Sequence, residues 1–375
     1  MYDFNEETRT LVDLVRRLVA DNQMPLETRK LRGERLTQAD YAPGREAARK
    51  AGLWGLDLPS ELGGAQLPLV DRLAITEENF KCLTPLRFGG DILSNMFHLQ
   101  GEQKARYVDP FLADAKALCF AQTEPGGGAD PARAVSTYAK RDGDGWVING
   151  SKIWISSFDD ADTVFVFART AKERGADGIS MFAVEKDNPG LIARPVPMLG
   201  GFTTHQLTFD NCRVDDIAVI GGEGAGFKGA QQALSAARFE VGARALGIAQ
   251  RCYEMMVEYA KQRVVFEGAL SEKQAVQSMI VDSWIEIQQH RLMMYACAEK
   301  ADRGEDSRVE AGLIKMTCTE MVSRVIDRAI QIHGAAGCTY ESPLAHWYDH
   351  QRMARIYEGP TEVHKFRVIA RRLLA

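Results

Sequence analysis

A glutamate near the end of the chain is the first residue whose surroundings suggest proton transfer. Glu358 stands between an aromatic residue and a glycine in RIYEGPTEVH (355–364). A carboxylate in an apolar neighbourhood has a raised pKa, so it can accept a proton near neutral pH. A glutamate at a helix end is more often simply solvated. The segment alone leaves both interpretations open.

Two segments in the middle of the chain carry groups that could hold a planar or anionic ligand. The glycine-rich loop CFAQTEPGGGADPARA (119–134) could bring main-chain N–H groups close to an anion, although such loops are often only turns. In KIWISS (152–157), alternation predicts that Trp154 and Ser156 lie on one face of a strand. An indole and a hydroxyl so placed would suit a planar heterocycle, and the alternative is a core tryptophan.

A fourth segment, KQRVVFEGALSEKQAVQ (261–277), places Arg263 on one side of an expected loop and Gln274 beyond it. Arginine is suited to bidentate contact with phosphate. Most single arginines on helices are solvated, so this segment also keeps two interpretations.

The elements that would position these residues follow from the spacing of apolar side chains. Helical spacing predicts amphipathic helices near the N-terminus and in the last third of the chain, and Gly334 is a plausible helix C-cap. The stripes are Leu11, Leu14, Val15, Leu18 and Val19; Leu246, Ala249, Cys252, Tyr253 and Met256; and Val322, Val325, Ile326, Ala329 and Ile330.

Between these helical regions, short segments rich in β-forming residues predict a sheet. Asn149-Gly150, within GWVINGSKIWIS, is a strong hairpin signal because both residues of such a turn adopt positive φ. We therefore predict an α+β multidomain protein with an N-terminal α-helical domain (1–117), a middle antiparallel, β-barrel-like domain (118–222) and a C-terminal α-helical bundle (223–375).

Composition excludes several classes of protein. The 375 residues are 45% hydrophobic and 26% charged, which allows a substantial core, and the net charge of −5 comes with dispersed Lys and Arg, which disfavours nucleic-acid binding. The sequence has no apolar run long enough to span a membrane and no signal-peptide pattern, so we expect a cytoplasmic protein. Seven scattered cysteines without a CxxC pair favour buried, reduced thiols over disulfides or a zinc site.

Five segments together resemble one family over nearly the whole chain. AQTEPGGGAD, WVINGSKIWIS, QRVVFEGALSEKQAVQ, QIHGAAG and RIYEGPTEVH occur in the order and at the spacings of the acyl-CoA dehydrogenases. The resemblance implies a helical domain, a β domain and a C-terminal four-helix domain, in agreement with the predicted order. It also implies FAD as the cofactor and an acyl-CoA thioester as the substrate.

The resemblance assigns roles residue by residue. Glu358 matches the catalytic base of the family. The positions that match flavin contacts within the chain are Phe120, Gln122, Thr123, Gly128, Ala129, Trp154, Ser156, Pro360, Thr361 and Glu362. Those that match contacts to the FAD of a neighbouring subunit are Arg263, Phe266, Gln274, Gln331, Gly334 and Ala335. Those that match substrate contacts are Ala129, Ser235, Arg238, Tyr357 and Gly359.

The reaction implied is α,β-dehydrogenation. Hydrogen bonds, one from the backbone N–H at the Glu358 position, would polarise the thioester carbonyl while Glu358 removes the α-proton. The β-hydrogen would leave as hydride to flavin N5, giving a trans-2-enoyl-CoA. The resemblance further implies an electron-transfer flavoprotein as acceptor and a homotetramer or homodimer as the assembly.

The chain departs from the family pattern at several positions. Ala129 stands where serine is usual, and Val265 and Glu267 replace the frequent threonine and glycine near Arg263. Some members carry their base immediately before the arginine matched by Arg238, and that position is Ala237 here, so Glu358 is the only matched base.

One arginine and two alternative functions remain open at this point. Arg87 lies in a segment that matches the wall of the acyl pocket, where a buried guanidinium could pair with an anionic acyl end; the alternative is an arginine in solvent or capping a helix. An acyl-CoA oxidase, or a non-catalytic flavin- or acyl-CoA-binding homologue, is the competing interpretation of the whole chain.

Overall fold

The chain folds into two compact units. The structure, a computed structural model, describes residues 2–89, 92–172 and 175–375, and the side chains of residues 131 and 228–234 lie outside that description. The helical unit comprises Met1–Asp57, Gln66–Phe88 and Ser235–Ala375, and the sheet unit comprises Leu58–Ala65 and Gly89–Leu234. Each unit has hydrophobic cores of its own.

The helices begin and end as follows: α1 (Glu6–Asn22), α2 (Met24–Leu31), α3 (Gln38–Lys50), α4 (Leu69–Asn79), α5 (Gly101–Tyr107), α6 (Asp109–Leu112), α7 (Pro131–Ala134), α8 (Gly226–Gln262), α9 (Gln274–Asp302), α10 (Arg308–His333), α11 (Pro343–Ala354), α12 (Thr361–Val363) and α13 (Ala370–Leu374). A π-helical stretch, His364–Ile369, joins α12 to α13. Within the described ranges, no helix combines the length and the apolar character needed to cross a membrane.

The N-terminal helix confirms its predicted stripe. Val15 and Val19 are buried, and Leu11, Leu14 and Leu18 pack partly buried against the same cluster. The Asn5 side chain accepts a hydrogen bond from the Thr8 N–H at 2.7 Å, which caps the first turn of α1.

The long helices α8, α9 and α10, with α11, surround the largest core of the helical unit. Four of the five predicted residues of α10 are fully buried, and the fifth, Ile330, packs against them. α10 ends at His333 with Gly334 as its C-cap, as the sequence predicts. The stripe of α8 is likewise buried except for Tyr253, which is partly buried.

The strands are β1 (Leu118–Ala121), β2 (Tyr138–Asp142), β3 (Gly145–Ile155), β4 (Thr163–Arg169), β5 (Ile179–Glu185), β6 (Leu191–Pro197), β7 (Thr203–Asp215), β8 (Val219–Ile220), β9 (Val264–Val265) and β10 (Gly268–Ala269). The first eight form one sheet in the order β6-β7-β3-β2-β4-β5-β8, with β1 paired to β4. Both β1 and β2 run parallel to β4, so the prediction of a purely antiparallel domain is wrong in this part.

Two short helices, α5 and α6, belong to the sheet unit, although the predicted boundary grouped them with the N-terminal helices. The ring centroids of Tyr107 and Phe111 lie 6.4 and 6.1 Å from that of Phe165 in β4. Aromatic burial of this kind stabilises a helix that is too short to be stable alone.

The hairpin predicted at Asn149-Gly150 is wrong, because β3 continues through both residues. Gly150 follows a register shift against β7 and has a φ of 149°. A Cβ at this position would lie 2.4 Å from Thr137 Oγ1 and 2.6 Å from Thr137 Cα. The glycine therefore marks a bulge and a close approach of two chain segments, which an Asn-Gly pair also permits.

The seven cysteines are free thiols, and five of them are buried. The prediction that all are buried is wrong for Cys338, which is exposed, and for Cys297, which is partly buried. Cys338 lies at the end of a 3-10 turn that follows α10, beyond the buried stripe of that helix.

The packing at Gly150 gives a testable prediction for stability. We expect Gly150→Ala to lower the free energy of unfolding by about 1–3 kcal/mol, because the methyl group must displace the backbone at Thr137. Gly126→Ala is the control, since a Cβ at Gly126 meets nothing within 4 Å. Chemical denaturation of both variants would contradict the assignment if their stabilities were equal.

Candidate active site

Glu358 lies in the short connection between α11 and α12, in a backbone conformation that L-residues rarely adopt. Its φ is 53°, and Gly359 follows with a φ of 94°. Pro360 then occupies the N-cap position of α12. Two consecutive left-handed residues cost free energy and persist only when the surroundings fix them.

Three side chains from separate elements fix this turn. Arg238 Nε in α8 donates a hydrogen bond to the Glu358 carbonyl at 3.3 Å, and His364 Nε2 lies 3.0 Å from the same oxygen. Lys315 Nζ in α10 donates to the Gly359 carbonyl at 2.6 Å. We call the turn and these three side chains the Glu358 cluster.

The carboxylate of Glu358 is largely removed from solvent and lies near several positive charges. One oxygen, Oε2, is buried and has no hydrogen-bond partner among the residues that the structure describes. Burial raises the pKa of Glu358 above its ordinary value, while the positive charges of Arg238, Lys315 and Arg244 act in the opposite direction. A carboxylate in this balance can accept a proton near neutral pH.

Burial also lowers the pKa values of Lys315 and His364, two other members of the Glu358 cluster. It lowers the pKa of Lys315 to about 8 and that of His364 to about 4, so His364 is neutral at pH 7. The His364 ring is buried, and within the described part of the chain its Nδ1 has no hydrogen-bond partner. The neutral ring therefore positions the Glu358 carbonyl without adding a charge.

The other positions that the resemblance assigned to substrate or flavin contacts differ in location and in exposure to solvent. Arg238 and Gly359 belong to the Glu358 cluster, and Tyr357, next to Glu358, is 37% exposed. Ser235 is half-buried on α8. Thr361 donates to Glu320 Oε1 at 3.0 Å, and Glu362 is exposed.

Arg87 was expected to pair with an anionic acyl end if its guanidinium were buried, and it is not buried. Its side chain is exposed, and Nη1 donates to Gln38 Oε1 at 3.1 Å. The guanidinium also lies over the ring of Tyr41, 5.4 Å from its centroid. The buried guanidinium that would need an anionic partner is absent at this position.

The residues matched to a neighbouring subunit's cofactor are exposed on the helical unit. Arg263 follows α8, and Phe266 lies at the tip of the β9–β10 hairpin with a φ of 48° and an exposure of 95%. The others, Gln274, Gln331, Gly334 and Ala335, are exposed at the start of α9 and the end of α10. Tyr259 stacks on His333 with ring centroids 4.4 Å apart, which brings the C-terminal turns of α8 and α10 together.

In the sheet unit, a buried ion pair organises the glycine-rich loop. Lys152 is fully buried, and its Nζ donates to Glu124 Oε1 at 2.8 Å and to the Gln122 carbonyl at 3.1 Å. Glu124 also accepts hydrogen bonds from the N–H groups of Ser136 and Thr137. Burial tends to raise the pKa of Glu124, but Lys152 and the hydrogen bonds outweigh it and hold the value at about 2.

The same loop borders the tryptophan that the sequence singled out. The Ile153 N–H donates to the Thr123 carbonyl at 2.9 Å. Trp154 and Ser156 are exposed on either side of the buried Ile155. The prediction of two alternate residues on a regular strand is wrong, because Trp154 has a φ of 62° and β3 ends at Ile155.

The remaining positions matched to the flavin lie on β1 and in this loop. Phe120 is partly buried and packs against Phe167, with ring centroids 4.7 Å apart. Gln122 Nε2 is buried without a hydrogen-bond partner in the described ranges. Gly128 and Ala129 are both exposed.

Sequence reasoning missed four buried residues that organise the candidate site: Lys315 and His364 beside Glu358, and Glu124 and Lys152 in the sheet unit. The two lysines could have been recognised from the sequence pattern. Lys315 falls at a core position of the α10 stripe, and Lys152 falls on the inward-facing side of β3, with Ile148. A lysine at a core position needs a buried partner, so its position is informative.

The Glu124–Lys152 pair gives a prediction for the loop. We expect Lys152→Met to lower the free energy of unfolding by about 3–5 kcal/mol, because Glu124 would be left as a buried carboxylate without its cation. Lys140→Met, at an exposed lysine of β2, is the matched control and should change stability by less than about 0.5 kcal/mol.

The double variant Lys152→Met/Glu124→Gln separates the pair from general packing. It should be more stable than Lys152→Met alone, because it removes the unpaired charge. Chemical denaturation at neutral pH measures all three variants, and a Lys152→Met variant as stable as Lys140→Met would contradict the role of the pair.

Comparison with known proteins places the chain in a family. Residues 5–114, 119–212 and 224–374 match the N-terminal, middle and C-terminal domains of acyl-CoA dehydrogenases. The whole chain is 35% identical to 97% of the (R)-benzylsuccinyl-CoA dehydrogenase of Thauera aromatica. It is 36% identical, over 86% of its length, to 80% of the human mitochondrial short-chain specific acyl-CoA dehydrogenase.

A solved structure agrees with the sequence relatives. The butyryl-CoA dehydrogenase of Megasphaera elsdenii matches with a TM-score of 0.86 and 26% identity, and the match covers 100% of both chains. The chain therefore belongs to the acyl-CoA dehydrogenase family of flavin-dependent oxidoreductases, whose cofactor is FAD.

Proposed function

We propose that this protein dehydrogenates an acyl-CoA thioester to a trans-2-enoyl-CoA, with Glu358 as the base that removes the α-proton. The observation that carries the proposal is the buried Oε2 of Glu358, which has no hydrogen-bond partner in the described ranges and lies on a turn held by Arg238, His364 and Lys315. A structural carboxylate of this burial would be hydrogen-bonded. An oxygen left without a donor suits a group that must receive a proton.

The residues of the sheet unit fit FAD. Gln122 Nε2 is a buried donor that lacks an acceptor among the described residues, and Trp154, 50% exposed, offers an indole face next to the same loop. A flat ring with polar edges would satisfy the amide and cover the indole. Gln122, Thr123, Trp154 and Ser156 would hold the ring, and FAD supplies an acceptor for the β-hydrogen of the substrate.

The chain also supplies a donor that could polarise the thioester. The main-chain N–H of Glu358 makes no hydrogen bond within the residues that the structure describes. In the proposed reaction this N–H donates to the thioester carbonyl, which increases the acidity of the α-proton. The carboxylate of the same residue then takes that proton.

The exposed group around Arg263 supports an assembly of several copies. Phe266 is an almost fully exposed aromatic residue in a strained conformation, and such a residue is stabilised when another surface covers it. α9 exposes further apolar side chains at helical spacing, namely Val281, Trp284, Ile285 and Leu292. We propose a homotetramer or homodimer in which Arg263, Phe266 and Gln274 contact the FAD of a neighbouring subunit.

The competing function, an acyl-CoA oxidase, differs in how the reduced flavin is re-oxidised. We propose an electron-transfer flavoprotein as the acceptor. Anaerobic mixing with acyl-CoA thioesters, including carboxylate- and aryl-bearing ones, should bleach the flavin absorbance. Slow recovery in air would support the dehydrogenase, and rapid recovery would indicate the oxidase.

Glu358→Gln tests the base. We expect FAD to remain bound and the rate of flavin reduction to fall by about 10²- to 10⁴-fold, because glutamine cannot accept the α-proton. Anaerobic stopped-flow absorbance measures the rate. Glu341→Gln, at an exposed glutamate before α11, is the control and should react like the wild type.

A second measurement isolates proton transfer from hydride transfer. An acyl-CoA with an α-CH₂ group and a quaternary β-carbon can lose only its α-proton. Wild-type protein should exchange this proton with D₂O, and Glu358→Gln should not. Normal exchange in the variant would mean that the base lies elsewhere.

A further inference from the structure

Lys315 is a charged side chain in the core of the helical unit. It lies in α10 with an exposure of 0%, among the fully buried Ile314, Cys318 and Thr319. Its Nζ donates to the Gly359 carbonyl at 2.6 Å and lies 5.9 Å from the ring centroid of Tyr357. The ammonium group is therefore next to the turn that carries Glu358.

The ammonium group has little direct compensation for its burial. Within the described residues, no carboxylate lies within 4.0 Å of Lys315, and the Gly359 carbonyl is its one hydrogen-bond acceptor. Removing an ammonium from water costs several kcal/mol, and a single neutral acceptor does not offset that cost. A lysine of this kind is a poor choice for packing alone, since methionine would fill the same space without the cost.

The hydrogen bonds of the turn are divided between the three side chains. The Glu358 carbonyl has two partners, Arg238 and His364, so it would retain one if the other were removed. Among the described residues, Lys315 is the one side chain that donates a direct hydrogen bond to the Gly359 carbonyl. Lys315 therefore fixes Gly359, which has a φ of 94°, through a hydrogen bond, while the His364 ring lies against the same residue.

We infer that Lys315 is a positioning residue of the proposed reaction, which holds the Gly359 carbonyl and places a buried positive charge beside the Glu358 carboxylate. The inference rests on the proposed function, because it assigns Lys315 to the base of that reaction. Lys315 touches neither substrate nor cofactor in this role. It acts through the geometry and the protonation of Glu358.

The charges around Glu358 determine what the loss of Lys315 would do. α8 contributes the positive Arg238 and Arg244 and the negative Glu240, α10 contributes Lys315, and His364 is neutral. Burial and Glu240 raise the pKa of Glu358, and three cations lower it. Without Lys315, only the two arginines would lower it. The pKa of Glu358 then rises, and because the base must be ionised, the acid limb of the pH–rate profile moves to higher pH.

Two substitutions separate the charge from the hydrogen bond. Lys315→Met removes both, while Lys315→Gln removes the charge and keeps an N–H donor. We expect both to move the acid limb of flavin reduction upward by about one pH unit. Lys315→Met should in addition slow flavin reduction at its own optimum pH by about 10- to 100-fold, through misplacement of the base, and Lys315→Gln should slow it less.

The experiment uses the FAD-loaded protein, with flavin reduction followed from pH 5 to 9 and flavin content and melting temperature measured for each variant. Lys365→Met is the matched control, since Lys365 is exposed in the segment next to His364 and solvent screens its charge. It should leave the acid limb in place. Lys315→Met should keep a melting temperature close to that of the wild type, because an apolar residue of similar volume replaces an unpaired buried charge.

The outcomes distinguish this inference from a purely structural role and from the proposed function itself. An unmoved acid limb in both Lys315 variants would overturn the inference, even if the melting temperature fell. If Lys315→Met does not fold, the pH profile of Lys315→Gln decides alone. Wild-type protein that no acyl-CoA thioester reduces would instead contradict the proposed function.

Discussion

The position of the Glu358 carboxylate depends on hydrogen bonds to the main chain rather than to the carboxylate itself. Oε2 accepts no hydrogen bond from the described residues, whereas the main chain of Glu358 and Gly359 accepts three. That backbone is left-handed at two consecutive residues and is fixed by donors from α8, from α10 and from the segment after α12. The packing of the helices therefore sets the position of the proposed base, and a change in that packing would move it.

Side chains of the same helices also shift the pKa of this proposed base. A carboxylate removed from water becomes a stronger base, but without nearby positive charge it would stay protonated at neutral pH. Arg238, Lys315 and Arg244 oppose the effect of burial on the pKa of Glu358. Arg238 also donates a hydrogen bond to the Glu358 carbonyl, and Lys315 donates one to the Gly359 carbonyl. The same side chains therefore fix the backbone position of Glu358 and shift its pKa, so most substitutions of them would change both properties.

The sequence predicted the helices of the core well, because burial imposes a periodicity that survives in residue type. The α10 stripe is an example, with four of its five residues fully buried. The hairpin prediction at Asn149-Gly150 was wrong because the sequence cannot distinguish a glycine that allows a close approach to Thr137 from a glycine that allows a turn. The prediction for Trp154 was wrong for a related reason: β3 leaves regular strand geometry at this residue, with a φ of 62°, just after Ile153 bonds to the glycine-rich loop, and residue type does not encode this change.

The site was predicted less completely than the fold, and the two buried lysines explain why. Lys152 has the carboxylate of Glu124 at 2.8 Å, but its partner lies 28 residues away in the sequence, across a loop whose path the pattern does not specify. Lys315 has, among the residues described, only the carbonyl of Gly359, 44 residues further along the chain, and a carbonyl leaves no mark on residue type. A lysine at an apolar position can therefore be recognised from sequence, but its partner cannot.

The difference between those partners separates two roles. The ammonium group of Lys152 is neutralised where it lies, by a carboxylate that four hydrogen bonds hold in place, so the pair accounts for its own burial. The charge of Lys315 is not neutralised within ion-pair distance by any described residue, and the carboxylate that most favours its charged form is that of Glu358, the proposed base. A buried charge that has no ion-pair partner in the described part of the chain is better explained by its effect on Glu358 than by a contribution to stability.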